Sequence, residues 1–279
     1  MLSKVFSFTL IGIEAHPIEI EIDIQKGLPA VNIVGLPDNA VKESRERVKS
    51  AIKNAGFTFP GDRITVNLAP ADIKKEGSLF DLPIALGILS ASNQINKTNL
   101  NDFTIIGELA LDSNIRSVKG VLPITTSLRD RNKLILPQAN AKEAAICSKV
   151  AVFPAKNLQE AVNLINDVSS AKSFEVDSRK LFQDAQNYDL DFEEVKGQIL
   201  AKRAIEIAVA GNHNILLVGP PGSGKTMLAK RIPSIMPRMS FEEALETTRI
   251  HSVMGLIQKD LGIIATRPFR AQHHTASNI

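Results

Sequence analysis

Eight consecutive residues carry the clearest chemistry in the chain: Gly219, Pro220, Pro221, Gly222, Ser223, Gly224, Lys225 and Thr226. They match the pattern G-x-x-x-x-G-K-[ST], in which a loop rather than any single side chain binds phosphate. Glycines let the backbone curl so that successive N–H groups converge on phosphate oxygens. A helix that follows adds the positive end of its dipole. In this geometry Lys225 reaches the β- and γ-phosphates as a point charge, and the Thr226 hydroxyl is the metal-binding position for Mg²⁺. The pattern requires a strand before it and a helix after it. Asn214–Val218 is apolar enough for a buried strand, and the run from Lys225 to Arg231 predicts the helix.

Other candidates for chemistry are weaker. His273 and His274 are adjacent, so on a helix they diverge. Only His251 lies near them, and no cysteine cluster exists to complete a metal site. The basic run Lys42–Lys53 interleaves Glu43 and Glu46 with Arg45, Arg47 and Lys49, which reads as a solvated helix face.

Composition bounds the elements that must position these residues. The chain has 279 residues, 44% apolar and 23% charged, enough for packed cores and suited to two domains. The lone Cys147 excludes an internal disulfide and fits a cytoplasmic setting. No apolar run approaches the ~20 residues that span a bilayer, and Met1–Leu10 lacks the features of a signal peptide. A net charge of +3 permits a nucleic-acid partner without arguing for one, and with no Trp and one Tyr any base-stacking platform would rest on Phe.

Strands and helices alternate through the first part, predicting an α/β or α+β domain over residues 1–166. Ile18, Ile20, Ile22 and Ile24 alternate with acids, a half-buried strand. Further strands are expected at Ala30–Val34, Arg63–Leu68, Leu134–Leu136 and Val150–Phe153, and a hairpin is expected from Phe103–Leu111 and Ile115–Val118. Expected helices run from Asp38 or Asn39 to near Gly56, over Leu79–Leu89 and Leu158–Ile165, and from Val121 to Arg131, with a short one capped by Asn140. Residues 167–188 are polar and weakly periodic, a linker. Residues 189–279 form the second domain, in which Val195, Ile199, Ala204, Ile207 and Ala208 make a helical apolar stripe ending at Gly211.

The chain resembles the Mg-chelatase-like AAA+ ATPases of bacteria, the YifB/ComM group. The resemblance lies in GIEAHPIEIEIDIQKGLPAVNIVGLPDNAVKESRERVKSAIKNAG, in RITVNLAPADIKKEGSLFDLPIALGIL, in GELALDSNIRSVKGVLP and in VKGQILAKRAIEIAVAGNHNILLVGPPGSGKTMLAKRIP. The tail RPFRAQHHTAS is similar too, although proline is expected where Gln272 stands. It implies a Lon-protease-like N-terminal domain followed by a partial P-loop AAA+ domain. It also implies ATP and Mg²⁺ as cofactors, a homohexameric assembly and a DNA partner, with branch migration in natural transformation as the activity.

A Lon-like domain raises the question of proteolysis. The family's serine position falls on Leu79 and its lysine position on Leu122, and leucine can neither attack a carbonyl nor take a proton. Ser78 lies one residue early with Lys74 and Lys75 nearby, but a one-residue slip turns a helical side chain by about 100°. Ser78 is therefore expected as a helix cap, and no catalytic residue is assigned. An AAA+ ATPase further needs an acidic strand end, four apolar residues and then Asp-Glu, to hold Mg²⁺ and orient water. Nothing after Thr226 matches: Leu261–Ile264 leads into Ala265, and Gln258–Asp260 carries Lys259 in between. The expectation is a chain that binds ATP without hydrolysing it, an N-terminal portion of a longer protein whose second sheet is left with an open edge. The rival readings are an interaction module for DNA or a protein partner, and a Ser–Lys peptidase.

Overall fold

The computed structural model describes residues 1–128, 133–147, 149–168, 171–257 and 262–270. The chain forms two compact units, Met1–Ser178 with Thr248–Gly262, and Arg179–Thr247 with Ile263–Ile279.

The first unit is built on a seven-stranded sheet. Its elements are β1 (Leu2–Ile11), β2 (Glu14–Gln25), β3 (Ala30–Val34), α1 (Asn39–Asn54), β4 (Arg63–Ala69), α2 (Asp81–Ala91), α3 (Lys97–Leu100), β5 (Phe103–Ile105), β6 (Glu108–Leu109), β7 (Ile115–Arg116), α4 (Val121–Ser127), β8 (Lys133–Pro137), α5 (Ala141–Ala145), β9 (Ala151–Ala155) and α6 (Leu158–Asn166). The strand order is β3-β4-β2-β1-β5-β8-β9. The β1–β2 and β2–β4 pairs are antiparallel, and every other neighbouring pair is parallel. This mixed, mostly parallel sheet is the α/β architecture the alternating pattern called for.

The predicted alternation of β2 is realised. Ile18, Ile20 and Ile22 are buried while the acids between them stay half-exposed, and Lys4 on β1 meets Glu19 at 2.6 Å and Glu21 at 3.3 Å. Helix α1 starts where a capping aspartate stands: Asp38 accepts from the N–H of Val41 at 2.8 Å. All of α2 is buried, so its apolar residues run around the helix rather than along one stripe. Gly87 makes that possible. A Cβ there would lie 2.0 Å from Cδ1 of Ile22 and 3.0 Å from Cγ2 of Val5, so any other residue would force the buried Ile22 side chain to shift. One charge enters the same layer. Asp81, buried on α2, accepts two hydrogen bonds from Arg47 of α1 at 2.7 and 3.0 Å and one from the N–H of Leu109. The Lys42–Lys53 face is thus solvated except at Arg47.

Four expectations need correction here. The expected hairpin from Phe103 is interrupted. Phe103–Ile105 enters the main sheet between β1 and β8, and only Glu108–Leu109 pairs with Ile115–Arg116. The backbone leaves the sheet because the N–H of Gly107 donates to Leu79 while its carbonyl accepts from Leu82. Helix α4 stops at Ser127, with Leu128 already extended; Arg131 lies outside the described residues. Asn140 precedes α5 without capping it, because its side chain bonds both backbone groups of Val118 and Glu143 instead. Ser78 does not cap α2, because its hydroxyl donates to Glu108.

The second unit holds α7 (Ser178–Asp184, beginning at the last residue of the first unit's long segment), a 3₁₀ turn at Phe192–Glu194, α8 (Ile199–Ala210), α9 (Lys225–Arg231), a 3₁₀ turn at Ile232–Ile235 and the start of α10 (Phe241–Met254), whose residues from Thr248 count with the first unit. Among the described residues one core cluster holds Phe192, Val195, Ile205 and Leu228, with Leu217 and Met227 among the half-buried residues against them, and Met239, Ala244, Ile263 and Ala265 are buried elsewhere in the unit. The apolar face of α8 is Ile205 and Ala208, with Ala204, Ile207 and Ile199 exposed, so the expected stripe is displaced. Between the two domain readings, residues 167–188 are not featureless: Phe174 donates its N–H to Val152 at 2.7 Å, and α7 follows.

Candidate functional site

The phosphate-loop residues come together at the start of α9. Gly222 and Gly224 have φ of +80° and +82°, the left-handed region that favours glycine, and these two turns fold the loop over the helix end. The first helical hydrogen bond inside α9 runs from the N–H of Leu228 to the carbonyl of Gly224, so the N–H groups of Lys225, Thr226 and Met227 precede the ladder. The Lys225 ammonium spends its three donors on the loop itself: the carbonyls of Gly219 at 2.9 Å and Pro220 at 2.8 Å, and the Ser223 hydroxyl at 3.1 Å. These are exposed, exchangeable bonds. An ammonium held by neutral carbonyls gains by moving to phosphate oxygens, where both partners are charged. Pro221 lies exposed on the turn, and so does Thr226 at the start of the helix, its hydroxyl free to approach a cation bound to phosphate. Among the described residues no group of three or more His, Cys, Asp and Glu could hold a metal.

The structure adds a residue that the motif does not contain. Gln198, with φ of +50°, opens α8 and donates through Nε2 to the carbonyl of Ser223 at 3.4 Å. A Cβ at Gly224 would lie 3.1 Å from that same nitrogen, so the third glycine leaves room for Gln198. The sequence signal was the V-K-G-Q run, where Gly197 (φ +67°) and Gln198 make consecutive left-handed turns. Arg231, at the other end of α9, pairs with Glu194 at 2.7 Å and ties the helix to the 3₁₀ turn before α8.

The segment before the loop departs from expectation. Asn214–Val218 pairs with no strand, and no strand is found in the second unit among the described residues. Leu216 and Val218 are each 85% exposed, and only Leu217 packs on the core. An apolar run becomes a buried strand only when neighbouring strands take its backbone groups and cover its faces.

The dyad positions are apolar and closed. Leu79 and Leu122 are buried. The Ser78 hydroxyl has a carboxylate, Glu108, as its partner and not an amine. Lys75 is wholly buried and donates to the carbonyl of Pro70, and burial pushes its pKa down. Lys74 is paired with Glu76 at the surface. His251 is half-buried in α10, while His273 and His274 lie outside the described residues, as do Gln258–Asp260 and Leu261. Among the described residues no helix is long and apolar enough to cross a membrane.

Comparison with known proteins adds to this geometry. Residues 20–140 match the model described as subunit ChlI of Mg-chelatase, and residues 191–279 match the one described as magnesium chelatase, subunit ChlI. The chain belongs to the ChlI-like magnesium chelatase family. Within this family it is 42% identical to the competence protein ComM of Haemophilus influenzae, and 43% and 41% identical to the uncharacterised YifB proteins of Salmonella typhimurium and Escherichia coli. Each match takes in 99% of the chain and 54% of the relative, so this ChlI-like chain spans about half the length of the curated relatives it matches. Nucleotide and Mg²⁺ use are what the family suggests, and the loop at Gly219–Thr226 falls inside the second matched segment.

Proposed function

We propose that this chain binds Mg–ATP through Gly219, Pro220, Pro221, Gly222, Ser223, Gly224, Lys225 and Thr226, as the nucleotide-binding part of an ATP-driven assembly that acts on DNA. The observation that carries the reading is the folded loop, with the Lys225 ammonium lying over the carbonyls of Gly219 and Pro220. Bound Mg–ATP supplies the phosphate charge. The chain's own contribution is to orient it: backbone N–H groups at the start of α9 point at phosphate oxygens, Lys225 leaves its carbonyl partners for them, and Thr226 takes a cation ligand position. Ser223, released by Lys225, keeps its carbonyl on Gln198, so the loop opens without losing its anchor.

The DNA role and hexameric assembly follow from the resemblance and from the relative named as a competence protein. The first unit is then a Lon-protease-like domain without a working dyad, in keeping with the buried leucines at both dyad positions. The cytoplasm is the compartment this reading implies.

Calorimetric titration with a non-hydrolysable ATP analogue and Mg²⁺ tests the reading. Lys225→Ala removes a charge-assisted contact worth ~1.5–3 kcal/mol, which is roughly ten- to a hundredfold in affinity. Thr226→Ala should mainly weaken the dependence on Mg²⁺. Binding that is unchanged in Lys225→Ala would move the site away from the loop and leave the interaction-module reading.

A further inference from the structure

The first unit ends on one side in a strand that has no outer neighbour. β3 pairs in parallel with β4 from Ala30↔Arg63 to Val34↔Asn67 and is the terminal strand of the sheet. Among the described residues no backbone hydrogen bond is made on its other side. A row of free N–H and C=O groups at strand spacing is a template for a further strand.

The surface around that edge is shaped for one. A groove of about 1010 Å³ is lined by Val31, Asn32, Ile33 and Val34 together with Arg45 of α1 and Arg63 of β4. The register puts Val31 and Ile33 on the face of Ile64 and Val66, and Asn32 and Val34 on the face of Thr65 and Asn67. Since residues of both faces line the groove, it wraps around the edge of β3, which is the space an added strand would fill. A smaller cleft of about 320 Å³, sharing Val31 and Arg45, continues it past Ala30 to Lys49 and Lys53.

Charge decides what kind of strand fits. Arg45 is paired with Glu46 and Arg47 with Asp81. That leaves Lys42, Lys49, Lys53 and Arg63, all exposed and bordering the two clefts, with no carboxylate at ion-pair distance among the described residues. Glu43 and Asp62 are the carboxylates that remain beside them, so the rim is net positive.

We propose that the free edge of β3 is a strand-addition site for an extended acidic peptide, whose backbone pairs with Ala30–Val34 and whose acidic side chains meet Lys42, Lys49, Lys53 and Arg63. Backbone pairing supplies affinity, the apolar Val31 and Ile33 accept alternate side chains, and the cations select sign. A nucleic acid would use the cations and leave the strand edge unpaired, which is why the peptide is favoured. This proposal is independent of the phosphate loop.

The test uses the full chain and a fluorescein-labelled eight-residue peptide of alternating Val and Glu, with alternating Val and Lys as the control. Anisotropy should show saturable binding of the acidic peptide only. The double variant Lys42→Glu, Lys49→Glu, both at exposed positions, should weaken it by about tenfold, as expected when two rim charge pairs are reversed. Hydrogen exchange is the second readout: amides within Ala30–Val34 should exchange at least about tenfold more slowly with peptide bound, as backbone groups entering a ladder do. Binding of both peptides alike, binding without protection of β3, or protection of β3 by a second copy of the chain before any peptide is added would each overturn the proposal. So would a single-stranded oligonucleotide that competes the acidic peptide off and protects β3 equally.

Discussion

The two units solve the same problem at different depths. In the first, β1, β2, β4, β5, β8 and β9 all send side chains into one continuous core, and α2 is buried on every side. In the second, the cluster beside the loop is built on Phe192, Val195, Ile205 and Leu228 among the described residues, and Leu216 and Val218 stand in solvent beside a loop with a demanding backbone geometry. The difference shows that the Gly219–Thr226 loop needs little packing to take its shape. Two left-handed glycines, a lysine folded onto carbonyls and one glutamine suffice locally. A sheet does not work that way, since each strand depends on those beside it.

Equal truncations in the two cores should break this comparison most sharply. Leu134→Ala, which opens a cavity at a fully buried position of β8, should cost the first unit about 4–5 kcal/mol. Leu228→Ala should cost the second unit about 2 kcal/mol, because fewer neighbours lose contacts. Denaturant titration read by hydrogen exchange in each unit separates them. Equal losses would show that the second core is larger than its buried residues indicate.

The next effect is in pH. Burial pushes Asp81 from its ordinary 3.8 up to about 6, while Arg47 pulls it down. With the folded value above the unfolded one, the contribution is complete below about pH 4 and is lost as pH rises through 6. A shift of about two units corresponds to about 3 kcal/mol. Burial raises Glu143 too, in the same sense. Asp81→Asn should flatten the decline between pH 4 and 6.5, measured as unfolding free energy of the first unit; an identical slope in the variant would place the titration elsewhere.

A nucleotide should act on one unit only. At a hundred times Kd, a non-hydrolysable Mg–ATP analogue stabilises its host by about 2.7 kcal/mol. Exchange of α9 amides should slow accordingly while α2 amides stay unchanged, and slowing in both would mean that the units unfold together. The smallest effect is expected at the rim of α9. Glu194→Ala breaks the partly exposed pair with Arg231 and should cost no more than about 1 kcal/mol, visible as a slight loss of protection in α9 with analogue binding within twofold of the parent.

Much of the first unit is legible in the sequence. The isoleucine alternation placed β2, the capping aspartate placed the start of α1, and Gly27 and Gly35 bracketed β3 to the residue. What failed was pairing. Phe103–Leu111 reads as one strand, and only its backbone bonds near Gly107 show that it is two, in different sheets. Asn140 and Ser78 read as caps because such residues cap helices in isolation, yet each found a nearer partner in Glu143 or Glu108.

Local chemistry is written in neighbouring residues, so the sequence alone determined the loop from Gly219 to Thr226, the helix Lys225–Arg231 that follows it, and the leucines at the dyad positions. Partners distant in sequence are not written there. Tertiary structure alone decided that Arg47 would hold Asp81, that Gln198 would steady Ser223, that Ile205 rather than Ile207 would face the core, and that Ile215–Val218 would lie unpaired. The physical reason is that burial and pairing are properties of two surfaces at once. A residue's type says what it needs, and only the fold says which other segment stands close enough to meet that need.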